Sequence, residues 1–132
     1  MTDRSKKRFF SFKKEERLCS LKAIEELFAS GERFSSYPLF VVYKRVENRE
    51  GMPSVLFSVS KKRFKHAVDR NRIKRLMRES YRLNKQQLCE AVGGKGYTLD
   101  IAFVYIENTL AGFGEVEAGI KKAMAKIKGQ LG

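Results

Sequence analysis

The stretch from Ser58 to Arg82, SVSKKRFKHAVDRNRIKRLMRESYR, constrains this chain more than any other. Between Lys61 and Arg82 stand ten Lys or Arg residues against two acids, Asp69 and Glu79. Turned at the helical period of about 100° per residue, Ile73, Leu76, Met77, Ser80, Tyr81 and Leu83 fall on one arc, and Asn71, Lys74, Arg75, Arg78 and Arg82 on the opposite one. The apolar arc must dock on a core, which leaves the basic arc facing out. Lys74 and Arg78, like Arg78 and Arg82, are spaced so that like charges repel by about 0.2–0.5 kcal/mol a pair. A bound polyanion would relieve that repulsion. The competing reading is a solvated basic face, and the nearly unmixed stripe favours nucleic acid over it.

The rest of the chain agrees with an anionic partner. Its 132 residues suffice for one domain with a modest core, and 28 Lys and Arg against 15 acids give a formal net charge of +13. No apolar run approaches the roughly 20 residues a membrane span needs, and the basic N-terminus leads into no apolar signal region. Cys19 and Cys89 match no zinc spacing and read as reduced thiols. A cytoplasmic protein with no membrane partner is expected.

Met1 to Glu16 mixes cations with Phe9, Phe10 and Phe12, and reads either as a flexible arm that orders on RNA or as a solubilising tail. Residues 17–132 then form the single domain. Leu21, Ile24, Leu27 and Phe28 recur at helical spacing between a cap at Ser20 and a stop at Gly31. Pro38 to Val46 and Pro53 to Ser60 read as two strands of an antiparallel hairpin turning at Asn48 to Gly51. After the basic helix, Gly93, Gly94 and Gly96 break the chain. Thr98 to Ile106 is a third strand, and Phe113, Val116, Ile120, Met124 and Ile127 mark a final helix ending at Gly129. The order helix, strand, strand, helix, strand, helix gives a mixed α/β domain, helices packed on a small sheet.

Catalytic constellations are thin. His66, the only histidine, lies in a basic loop whose nearest acid, Asp69, is better placed as a helix-start residue. A histidine base needs an orienting partner and a nucleophile within reach, and no such set is evident. The acids occur singly or at Glu25 and Glu26 on the first helix, and Gly93-Gly94-Lys95-Gly96 is too short for a phosphate-binding loop. No catalytic residue is expected in the protein.

The residues do carry a resemblance. Lys61-Lys62, Ala67, the run from Arg70 to Leu76 (RNRIKRL) and Arg78-Glu79, preceded by Ser58-Val59-Ser60, resemble the signature of the bacterial ribonuclease P protein subunit. Arg17-Leu18, Phe28, Gly31 and the strand Leu39 to Tyr43 resemble that family's first helix and strand, so the likeness spans Arg17 to about Ile127. It implies an α/β (α+β) fold with a small mixed sheet of three to four strands and a left-handed βαβ crossover, as in the ribosomal protein S5 domain 2-like fold. The general rule for such crossovers is right-handed; the expectation here follows the resemblance.

By the same resemblance, the protein is the accessory subunit of an RNA-based endoribonuclease. The catalytic RNA carries the hydrolysis with Mg2+ bound mainly by RNA and substrate, and the protein adds binding of ribonuclease P RNA and of the 5′ leader of precursor tRNA. No protein partner is required. Arg70, Asn71, Arg72, Arg75 and Arg82 are expected on the catalytic RNA; Lys61, Lys62, Lys74 and Arg78 border the leader cleft. Aromatic faces for leader bases are expected from Phe28 and from the strand around Phe40, Val42 and Tyr43, since stacking on one ring contributes about 1–3 kcal/mol. The sequence departs from the family at Ile24, where an aromatic is common, at Val42, where tyrosine is frequent and Tyr43 stands one residue on, and near Leu56 in place of a glycine. Three other readings stay open: a ribosomal or structural RNA binder, a DNA reader using the basic helix in a major groove, and a stand-alone nuclease. The ordered motif weighs against the first, the lack of a helix-turn-helix pair against the second, and the missing catalytic set against the third.

Overall fold

The computed structural model describes residues 16–131. The arm expected over residues 1–16 lies outside them except for Glu16. The elements are α1 (Leu21–Ser30), β1 (Glu32–Ser36), β2 (Leu39–Glu47), β3 (Ser54–Val59), α2 (Ala67–Asn84), α3 (Gln86–Val92), β4 (Tyr97–Tyr105) and α4 (Phe113–Leu131). The four strands form one sheet in the order β1-β2-β4-β3. β2 runs antiparallel to β1 and to β4, while β3 and β4 are parallel and joined through α2 and α3.

The expected hairpin of β2 with β3 does not form, because β4 lies between them. β4 is buried along nearly its whole length, as befits a strand covered on both faces. Its one charge, Asp100, is held 2.7 Å from Arg49 in the β2–β3 loop. That loop is bound to the start of β4, through Asn48 N–H to the Gly96 carbonyl (3.0 Å) and Thr98 Oγ1 to the Gly51 carbonyl (2.9 Å). Two elements were not expected from the sequence: the short edge strand β1, which has Phe34 as its only apolar residue, and the short helix α3.

The pleat sorts the core. Leu39, Val41, Tyr43, Phe57, Leu99, Ile101 and Phe103 face α2, α3 and α4, where Ile73, Met77, Tyr81, Ile120 and Ile127 complete the main cluster. On the other face Leu27 of α1 covers Val42 and Ala102 beside Leu18. α2 buries Ile73, Met77, Ser80 and Tyr81 as its pattern requires. Leu83, expected on the same arc, is 44% exposed instead.

Two glycines are set by close approach. Ser20 Oγ caps α1 through Ala23 N–H (3.2 Å), and Gly31 ends it in extended backbone, where a Cβ would stand 2.5 Å from the Leu27 carbonyl oxygen. At Gly119 a Cβ would meet the Tyr37 carbonyl oxygen at 2.6 Å and Pro38 Cδ at 3.0 Å, while the Gly119 carbonyl accepts from Ser36 Oγ at 2.7 Å. Gly119→Ala is therefore expected to cost about 1–3 kcal/mol by forcing α4 off the β1–β2 turn; a urea midpoint equal to the parent's would show that the helix shifts freely.

Candidate nucleic-acid interface

α2 presents Asn71, Arg72, Arg75 and Arg78 to solvent, with Lys74 half-buried beside them. Among the described residues none of these four cations enters an ion pair. The acids on the helix do not neutralise the stripe: Asp69 sits in the first turn, where the helix dipole favours it, and Glu79 is engaged by Arg82 through Nε at 2.8 Å and through Nη2. Arg82, expected on the RNA-facing arc, is thus half-buried and turned along its own helix to Glu79.

Lys74 and Arg78 reach past the β3 edge into a cleft of about 270 Å³. The segment Arg17 to Cys19 forms its far wall. It runs beside β3, with Leu18 N–H donating to the Val55 carbonyl at 3.0 Å and Arg17 bridging Val55 in parallel. Leu56 lies in the floor. Arg17 and Cys19 were not expected as site residues; the Arg17-Leu18 pair was visible, but nothing local says that it lies along a strand edge.

On the same side of the sheet, Ile24, Phe28, Phe40 and Leu56 are partly exposed and pack around the Leu27–Val42–Ala102 cluster. Phe28 and Phe40 thus keep accessible ring surface. Val42 does not: it is fully buried beneath α1, so its side chain offers no face to a ligand. Tyr43, its neighbour, points through the opposite face, stacks edge-on against Phe34 and donates its hydroxyl to Gln130. Burial raises its pKa. Tyr43 points away from the cleft because adjacent strand residues point to opposite faces, and Val42 is closed off by α1.

The loop between β3 and α2 carries Lys61, Lys62 and Lys65, all exposed. It is folded around Ser60, which accepts from Lys62 N–H at its Oγ (3.0 Å) and from Phe64 N–H at its carbonyl (3.2 Å). Phe64 is buried against Tyr105, ring centroids 6.0 Å apart. Arg70, expected on RNA, is half-buried, and its Nη1 donates to the Phe64 carbonyl at 2.8 Å and the Lys65 carbonyl at 2.9 Å.

His66 is exposed and makes no side-chain cap to α2. Among the described residues no three of His, Cys, Asp and Glu come together as metal ligands. Both cysteines are free thiols, and burial pushes the Cys89 pKa up to about 11, which keeps it protonated at neutral pH. No described helix is long and apolar enough to cross a membrane.

The sequence model of the Ribonuclease P family matches residues 12–128. The ribonuclease P protein component of Porphyromonas gingivalis is 42% identical over 123 residues, covering 92% of this chain and 90% of that protein. The chain belongs to the ribonuclease P protein family. Its counterpart in Chlorobium phaeobacteroides is 43% identical over 105 residues, covering 73% of this chain and 72% of that one. Among solved structures, the RNase P protein from Thermotoga maritima superposes with a TM-score of 0.66 at 20% identity, covering 84% of this chain and 96% of the other. A mutant RNase P protein from Staphylococcus aureus does so with the same TM-score, 0.66, over 87% of this chain and 90% of that one. At such identities these structures attest the fold.

Proposed function

We propose that this protein binds ribonuclease P RNA along the exposed cations of α2, and takes the single-stranded 5′ leader of precursor tRNA into the cleft between α2 and the segment Arg17 to Cys19 at the β3 edge. It thereby promotes endonucleolytic removal of the leader to give the mature tRNA 5′ end. One observation carries the reading: Arg72, Arg75 and Arg78 are exposed without a counter-charge among the described residues, and the same helix sends Lys74 and Arg78 into the cleft. One element thus serves two strands of polyanion at once. Membership of the family supports it.

In this reading Asn71, Arg72 and Arg75 meet the RNA backbone, where Asn71 adds an acceptor that arginine lacks. Lys61, Lys62, Lys74 and Arg78 line the leader's phosphates, and Phe28 and Phe40 offer rings to its bases. Hydrolysis belongs to the RNA subunit. Magnesium ions held by RNA and substrate supply stabilisation of the attacking and leaving oxygens; this chain's residues bind and orient. The assembly works in the bacterial cytoplasm and needs no further protein.

The test is cleavage of precursor tRNA at low magnesium by a bacterial ribonuclease P RNA, with and without the protein, beside a protein-only control. Correct 5′ processing restored only when both are present is the expected result. No effect would make the protein a structural RNA binder, and cleavage by protein alone would overturn the assignment of catalysis to RNA. Phe28→Ala is expected to lower the preference for leader-bearing over leaderless tRNA by about 5- to 100-fold, the equivalent of removing one stacked base. Equal loss with and without a leader would reduce Phe28 to a packing residue of α1.

A further inference from the structure

We infer that Arg70 is a positioning residue: by clamping the carbonyls of Phe64 and Lys65 it fixes the loop that carries Lys61, Lys62 and Lys65, and acts on RNA through those lysines. The inference rests on the RNA-binding reading above. Arg70 stands in the first turn of α2, four residues after His66, whose carbonyl accepts the Arg70 N–H at 3.3 Å. A cation there opposes the helix dipole, so a free guanidinium gains nothing from that position. It is not free. Its Nη1 folds back ahead of the helix onto two loop carbonyls, at 2.8 and 2.9 Å, and the side chain is half-buried. The neighbouring Arg72, Arg75 and Arg78 do the reverse and stand in solvent.

The loop needs such a clamp. Four cations, Lys61, Lys62, Arg63 and Lys65, crowd into five positions and repel one another. Two anchors hold it from other sides: Phe64 in the core and Arg63 Nη1 on Asn108 Oδ1 at 2.9 Å. Among the described residues, the hydrogen bonds that join residues 61–65 to α2 are those of the Arg70 side chain, so Arg70 sets the register between the lysines and the helix stripe. A loop fixed before binding spares the ordering cost of each residue already held.

A double-mutant cycle tests it, with equilibrium binding of ribonuclease P RNA as the readout. Arg70→Ala and the pair Lys61→Ala/Lys62→Ala are each expected to weaken binding about tenfold. Combined, they should reach no more than about thirtyfold, because the lysines lose their effect once the loop is loose. Arg72→Ala combined with the same lysine pair is the reference and should multiply. Without RNA, amide exchange at Arg63 and Phe64, whose N–H groups donate to the Ser60 carbonyl, should speed up in Arg70→Ala while α4 amides stay as in the parent. Arg70→Gln, which keeps an amide donor, replaces alanine if α4 amides show that the fold is lost. Multiplicative effects of Arg70 and the lysines, or unchanged exchange in the loop, would overturn the inference. A parent protein that does not bind the RNA would instead overturn the reading beneath it, with the exchange result still reporting on the clamp.

Discussion

Lys85→Met should destabilise the fold by about 3–5 kcal/mol, the largest single-site loss expected in this chain. Lys85 is fully buried where α2 passes into α3, and its Nζ lies 2.6 Å from Oε1 of Glu16, whose side chain is 4% exposed. Methionine keeps most of the lysine stem, so the loss reports the carboxylate left in a low-dielectric site rather than a cavity. Replacing both partners, Glu16→Leu with Lys85→Met, should recover much of it, because apolar side chains carry no desolvation cost. Urea unfolding at neutral pH reads both: the midpoint moves and the slope does not. A single-site loss below about 1 kcal/mol would mean that Glu16 reaches water without its partner. The pair also bears on function. Glu16 precedes Arg17 to Cys19, the far wall of the cleft, so the ion pair ties that wall to the C-terminal end of the helix forming the near one.

The basic helix was legible because two independent signals coincide in it, apolar spacing and unmixed charge. Strand order was not. Periodicity says which face a residue occupies and nothing about which strand lies beside it. β2 and β3, close in sequence and similarly apolar, read as a hairpin; what separates them is the more continuous apolar run of β4, which suits the position closed on both sides. A one-residue ambiguity had a comparable effect at the site. Val42 and Tyr43 differ by one step of the pleat, and the structure places one under α1 and the other in the main core, leaving Phe28 and Phe40 as the accessible rings. Arg70 was placed by motif likeness, although the helical wheel left it off the basic arc. Its side chain follows the wheel. Arg82 did lie on that arc, and is diverted by a partner three residues away, Glu79, whose reach a wheel drawn at Cα positions does not measure.

Arg72→Ala combined with Arg75→Ala should weaken binding to ribonuclease P RNA about a hundredfold near 0.1 M salt, at about 1.4 kcal/mol for each charge-assisted hydrogen bond to phosphate that is removed. It should also lower the slope of log affinity against log salt by about 1.5, since each neutralised phosphate contributes about 0.7–0.9. The fold should be untouched or slightly firmer. Both side chains are exposed and unpaired among the described residues, and they stand three residues apart on one face, where their mutual repulsion disappears with the charge. Discrimination for a leader should persist, because Lys74 and Arg78, which turn into the cleft, are kept. The two measurements separate the causes. A large affinity loss with an unchanged salt slope would mean that the arginines shape the interface without meeting phosphate, whereas loss of both together places the RNA backbone along the outer face of α2.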